Sequence, residues 1–134
     1  MTFVMEANIV VGHEHIDHYG HVNYKALPAL VEPEQDRFME IHVISFDEIL
    51  QRFGLRSFVR HISVDYNGEI KEGDVVNLLT WIYKLGRTSI TYKQALLKDE
   101  SNVAEYEMVV VLVDKLGRPS RIPEELRTLL ERIA

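Results

Sequence analysis

The chain of 134 residues is 46% hydrophobic and 27% charged, with seven glycines and four prolines. This balance fits one domain over residues 1–134 and excludes disordered, collagen-like and coiled-coil chains. It has no cysteine, so disulfides, thiolate zinc sites and a cysteine nucleophile are excluded, and roughly two-thirds of the unfolded chain's surface can be buried without staples. The formal charge of −6 comes with no basic run, residues 1–6 carry no signal-peptide pattern, and no stretch nears the roughly 18 apolar residues of a membrane span. A cytoplasmic protein with no nucleic-acid or membrane partner is expected.

Residues 4–17 read as a strand. Val4, Ile9, Val10 and Val11 are β-branched, and an extended end would put His13, His15 and Asp17 on one face before Gly20 breaks it. From residue 24 to 42, Leu27, Leu30, Val31, Phe38 and Ile41 recur at helical spacing. Pro28 and Pro33 count against an unbroken helix, since an internal proline loses an amide donor and costs about 3 kcal/mol. A kink, or a second start with Pro33 in its first turn, is expected. Ser45 and Glu48 have capping-box spacing and Gly54 offers a left-handed stop, which predicts a short helix over 46–53.

Four runs rich in β-branched and aromatic residues follow, at 58–66, 75–85, 88–98 and 103–114. Asn67-Gly68, Glu72-Gly73-Asp74, Gly86-Arg87 and Asp99-Glu100-Ser101-Asn102 separate them, so an antiparallel meander is expected. Leu126, Leu129, Leu130 and Ile133 then form the apolar side of a terminal helix with Pro123 near its first turn. The fold class is α+β. One long helix covers one face of the sheet and leaves the other face or an edge short of cover, so a dimer is expected.

Chemistry concentrates in residues 13–24, which hold four of the six histidines between a strand end and a helix start. Such a junction presents unpaired amides and the positive end of a helix dipole. A carboxylate just upstream can attack a carbonyl, or direct water at it, while the amides polarise the carbonyl oxygen. Asp17 is then the base or nucleophile of an acyl transfer, with the amides of Val22, Asn23 and Tyr24 as the oxyanion cradle. Asp17 could equally cap the loop through backbone amides. His21 could hold the loop, donate to a carbonyl or bond a neighbouring backbone group. Asn23 could cap the helix or contact substrate. His13, His15, Asp17 and His21 alternate as metal ligands could, but with neither cysteine nor a His-Glu-x-x-His pattern the reading is that no metal is used.

Asp17-His18-Tyr19-Gly20-His21-Val22-Asn23 resembles the Asp-x-x-Gly-His-Val-Asn signature of the 4-hydroxybenzoyl-CoA thioesterase-like branch of the hotdog superfamily. Glu32, the 59–66 strand, Lys71-Glu72-Gly73-Asp74, Leu85-Gly86-Arg87-Thr88-Ser89-Ile90 and Ile122-Pro123-Glu124-Glu125-Leu126-Arg127 continue the resemblance in order. The chain departs from the pattern at His15, Tyr24, Leu27 and Gln35. The resemblance implies a hotdog fold, a five-stranded antiparallel sheet wrapped around a central helix and followed by a short C-terminal helix. It implies homodimers, or dimers of such dimers, with sites at the protomer interface. It further implies hydrolysis of an acyl thioester of coenzyme A or acyl-carrier protein, the thioester being substrate, with no cofactor. Asp17, His21 and Asn23 would act in catalysis, with Glu32 as a secondary carboxylate. Leu27, Leu30, Val31, Arg60, His61 and Arg87 would bind substrate. A non-catalytic hotdog protein that binds an acyl thioester or another partner is the alternative.

Overall fold

The computed structural model describes residues 2–134. Its elements run β1 (Met5–Val10), a 3-10 turn (His13–His15), α1 (Leu27–His42), α2 (Phe46–Phe53), β2 (Arg56–Tyr66), β3 (Val75–Leu85), β4 (Ser89–Lys98), β5 (Ser101–Val113) and α3 (Glu124–Glu131). The five strands form one antiparallel sheet in the order β1-β3-β4-β5-β2. Its inward residues, among them Leu78, Ile82, Tyr92, Leu96, Tyr106, Val110 and Leu112, pack with Leu27, Leu30, Val31, Phe38 and Met39 of α1 into the core. Among the described residues no helix is long and apolar enough to cross a membrane.

The helix boundaries follow their local chemistry. Ser45 accepts the Glu48 amide at 3.1 Å and Gly54 ends α2 at a φ of 68°, which an L side chain rarely adopts. α1 runs from Leu27 to His42 with Pro33 inside it, so the second start expected at Pro33 is absent. Pro33 and Ala29, whose carbonyl it deprives of a donor, both face solvent, so water can take that carbonyl while the buried side of the helix continues.

Two other expectations are corrected. The first strand stops at Val10, because its partner β3 begins at Val75, directly opposite. Beyond it the chain tightens into the 3-10 turn, in which the Gly12 amide donates to His15 Nδ1, so His13, His15 and Asp17 share no strand face. The four later strands are not a simple meander. β3, β4 and β5 follow one another, but β2 lies outside β5 and does not pair with β3. The connection from β2 to β3 buries Ile70 and lends its carbonyl to the Val22 amide at 2.8 Å, so it forms a crossing rather than a hairpin.

The two edges of the sheet differ. β1 has six residues, whereas β2 has eleven and leaves Phe58, Val59, Ile62 and Tyr66 exposed. A long edge with apolar side chains in water is a template for pairing.

Candidate active site

The loop between the 3-10 turn and α1 folds around Asp17. Gly20 takes a φ of 81° so that its amide can return to the Asp17 carbonyl at 3.0 Å, and the Asp17 amide donates to the His21 carbonyl at 3.0 Å. Asp17 Oδ1 accepts the amides of Tyr19 at 2.9 Å and His21 at 3.3 Å, and Oδ2 accepts Asn23 Nδ2 at 3.3 Å. Partial removal from water pushes the Asp17 carboxyl up, but the His21 and Tyr19 amides, the Asn23 side chain and nearby His18 outweigh it. The group therefore sits below the ordinary carboxylate range and is ionised at neutral pH.

Asn23 works in two directions. Its Nδ2 holds Asp17, while its Oδ1 accepts the amides of Lys25 at 3.0 Å and Ala26 at 3.1 Å, capping the turn that leads into α1. The structure thus joins Asp17, His21 and Asn23 in one hydrogen-bonded unit. His21 enters it through its backbone, and its ring Nε2 lies 3.8 Å from Glu69 Oε1. The Val22 amide, expected in the oxyanion cradle, is engaged by Ile70 instead. The Asn23 amide faces the His15 carbonyl across the bridge between Ile16 and Val22, which leaves the Tyr24 amide, just ahead of α1, without a partner among the described residues. Among the described residues no group of three His, Asp or Glu side chains is placed to hold a metal.

Glu32 is half-buried on α1 and accepts the Tyr106 hydroxyl at 3.3 Å. Together with Gln35, Asp36, Phe46, Val59 and Met108 it lines a cleft of about 140 Å³ beside α1. Leu27, Leu30 and Val31 do not form that surface. They are 0–3% exposed, and their side chains are fixed in core packing. Arg60, at a bulge of β2, and His61 are exposed on the outer edge of the sheet.

Arg87 lies at the other end of the sheet. β3 begins beside the Asp17 loop, where the Val11 amide donates to the Asp74 carbonyl, and ends at Leu85, roughly 33 Å away for eleven extended residues. There Arg87 meets Arg121 and Arg127 around a cleft of about 340 Å³ also lined by Glu124, and Arg127 Nη2 is anchored on the Gly86 carbonyl. Sequence reading missed Arg121, Arg127 and Tyr106. Arg121 and Arg127 flank the start of α3, but only the fold brings them to the β3–β4 turn.

A family model described as the thioesterase-like superfamily matches residues 11–130. The chain belongs to that superfamily. No curated protein matches its sequence. Among solved structures it is similar to a DHNA-CoA thioesterase from Staphylococcus aureus, with a TM-score of 0.88, 14% identity and coverage of 98% of this chain and 91% of that one. It is also similar to a 1,4-dihydroxy-2-naphthoyl-CoA thioesterase from Synechocystis, with a TM-score of 0.83, 14% identity and 95% of each chain covered. A further S. aureus protein, solved in complex with CoA, matches with a TM-score of 0.87 and 19% identity over 99% of this chain and 85% of that one. At these identities the likeness speaks for the fold. It confirms the expected five-stranded sheet around a central helix with a short C-terminal helix.

Proposed function

We propose that this member of the superfamily hydrolyses an acyl-CoA thioester. The observation that carries the reading is the Asp17–Asn23 unit, an ionised carboxylate held in the loop at the entrance to a helix, where the Tyr24 amide has no partner among the described residues. In this reading the thioester carbonyl points its oxygen at the Tyr24 amide, which the α1 dipole assists. Asp17 then takes a proton from an attacking water, or attacks the carbonyl itself. The tetrahedral intermediate collapses and expels the thiolate of coenzyme A, which leaves with a proton, and in the second route water then hydrolyses the acyl–Asp17 anhydride to release the acid and restore the carboxylate. Asn23 keeps Asp17 aimed and His21 shapes the turn.

The arginine cleft supports CoA as the carrier, since three guanidinium groups in a chain of net charge −6 fit phosphate groups. It is too far from Asp17 of its own protomer to hold the same molecule. We therefore place a functional site between protomers, with the exposed edge of β2 as the seam of a homodimer. The thioester of this reading is a substrate, and no cofactor takes part. The test is release of free thiol from short, medium, long and aromatic acyl-CoAs. Turnover above that of the Asp17→Ala protein supports the reading, and binding of CoA without turnover would establish a non-catalytic binding protein instead.

A further inference from the structure

The groove between α1 and α2 holds a buried amide oxygen and a row of carboxylates that the reaction above does not use. Gln35 is 3% exposed and its Nε2 donates to Gln94 at 2.7 Å, but no donor among the described residues reaches its Oε1, which is left to the cleft it lines beside Glu32. A buried polar atom without a partner at the wall of a cleft calls for one from a ligand. Glu32 gives one oxygen to the Tyr106 hydroxyl and keeps the other free. Glu32, Asp36 and Glu40 recur every fourth residue along α1, and Asp47 comes from the first turn of α2. The cleft of about 140 Å³ at Glu32 and Gln35 shares Asp36 and Phe46 as a common wall with a second hollow of about 290 Å³ that reaches Glu40 and Asp47. Together they make one trough, with no basic side chain in its lining. Like charges four residues apart destabilise a helix. Among the described residues, however, no ion pair reaches any of the four acids. Partial burial, and after it the charges of Asp47 and Glu40, push the Asp36 carboxyl up.

We propose that the trough binds an aliphatic diamine, a four-carbon chain with an ammonium at each end. An ammonium carries three donors and no acceptor, which matches the oxygens of Glu32, Gln35 and Asp36 at the narrow end. Four residues of helix rise by roughly 6 Å, about the span of such a chain, so the second ammonium meets Glu40 and Asp47 while the methylenes lie along Phe46. A single metal ion fits less well, because among the described residues no three acids converge closely enough to hold one. Val59, at the rim, belongs to the exposed edge of β2, so a basic side chain from a second copy of this chain is the rival occupant. The proposal does not rest on the hydrolase reading.

The probe is 1,4-diaminobutane, titrated calorimetrically into the protein at low salt and neutral pH, with butylamine and 1,4-butanediol as controls. The diamine should saturate one site at least about tenfold more tightly than butylamine, since it makes charge-assisted bonds at both ends, and the diol should not bind. Asp36→Asn removes the wall that both hollows share and should weaken the diamine at least about tenfold. Glu40→Gln should bring the diamine down to the level of butylamine and leave butylamine itself unchanged. Asp36 and Glu40 are exposed, and the carboxamides keep their shape while relieving the repulsion along α1. Both variants should therefore melt at or above the wild-type temperature, which separates lost binding from lost fold. Equal affinity for diamine and butylamine, or undiminished binding in Asp36→Asn, would overturn the proposal. So would a diamine that fails to bind while sedimentation shows Asp36→Asn weakening self-association, for then a second copy supplies the cation.

Discussion

The polar cluster around Asp17 and the one around Gln94 both hold α1, yet they are built in opposite ways. Gln94 is 1% exposed and donates Nε2 to the Val31 carbonyl at 2.9 Å and to Thr80 Oγ1 at 3.1 Å, while its Oε1 accepts Gln35 Nε2 at 2.7 Å. Its donors and acceptor are thus satisfied inside the protein. Around Asp17 the polar side chains are half-buried at most, and the Tyr24 amide remains without a partner among the described residues. A closed buried network stiffens and specifies a core. An open one at a helix start keeps hydrogen-bonding capacity for a ligand. The same helix is held by a closed network at its middle and keeps open hydrogen-bonding capacity at its entrance.

The largest expected effect lies at the open cluster and is read from a pair of isosteric changes at acids. Asp17→Asn keeps the shape and the acceptor for the Tyr19 and His21 amides, loses the bond from Asn23 Nδ2, and can neither take a proton nor attack, so kcat should fall at least about a hundredfold, with KM little changed and Tm within a few degrees of wild type. Glu32→Gln should cost less, because Glu32 lies farther along α1 with one oxygen held by Tyr106. Steady-state kinetics on both variants decide the matter. An active Asp17→Asn enzyme beside a dead Glu32→Gln one would move the chemistry to the helix carboxylate.

Gln94→Leu should give the opposite phenotype. It strands Gln35 Nε2 inside the core and removes the second donor from the Val31 carbonyl, and a buried group left unpaired costs about 1–3 kcal/mol. Thermal unfolding should show a Tm lower by several degrees, while kcat of the folded protein stays within a few-fold of wild type. A large loss of kcat at unchanged Tm would show that the two clusters are one functional unit.

The open cluster was far more legible in the sequence than the closed one. Asp17, Gly20, His21 and Asn23 are neighbours in the chain, and their residue types state their local jobs of turn, cap and acceptor. Gln35 and Gln94 are 59 residues apart, and nothing in either local pattern announces the partner. The same limit explains the arginine cleft, where Arg87 meets Arg121 and Arg127 only because α3 returns to the β3–β4 turn. β3 and α2 were bounded by turn and cap residues that act locally, and both match their expected spans. The strand order was not legible, since the crossing from β2 to β3 depends on Ile70 finding the core. Alternation after Val10 misled for a physical reason too: a strand continues only where a partner strand exists, and β3 begins opposite Val10.

Titration offers a further contrast. Asp17 is held below the ordinary carboxylate value, and so is Asp74, where burial is outweighed by Lys98, whose Nζ lies 2.7 Å away, and by the Lys71 amide. A carboxyl depressed on folding contributes stability that is present above its unfolded value of 3.8 and is lost as pH falls through the lower folded value. Wild-type Tm should therefore hold down to about pH 4 and drop below it, and Asp17→Asn should flatten part of that drop. Lys98 is raised by Asp74, so its share is present below the ordinary lysine value of 10.5 and is lost as pH rises above it. The Gln94 cluster contains no titrating group, so the Tm deficit of Gln94→Leu should be the same from pH 4 to 8. Melting curves across that range test both halves of the contrast.

The smallest effect comes from a site outside both clusters. Ser45 caps α2 through the Glu48 amide and touches neither α1 network, so Ser45→Ala removes one acceptor from a helix end and nothing from the chemistry. Loss of such a cap costs about 1 kcal/mol. α2 is short and leans on β2, so the loss should appear as a modest fall in Tm, smaller than that of Gln94→Leu. kcat, KM and the acid limb of the melting profile should all remain those of the wild type. If Ser45→Ala lowered kcat, α2 would have to be counted among the elements that aim the site. The clean division between a closed cluster for stability and an open one for chemistry would then fail at the point where α2 packs against α1.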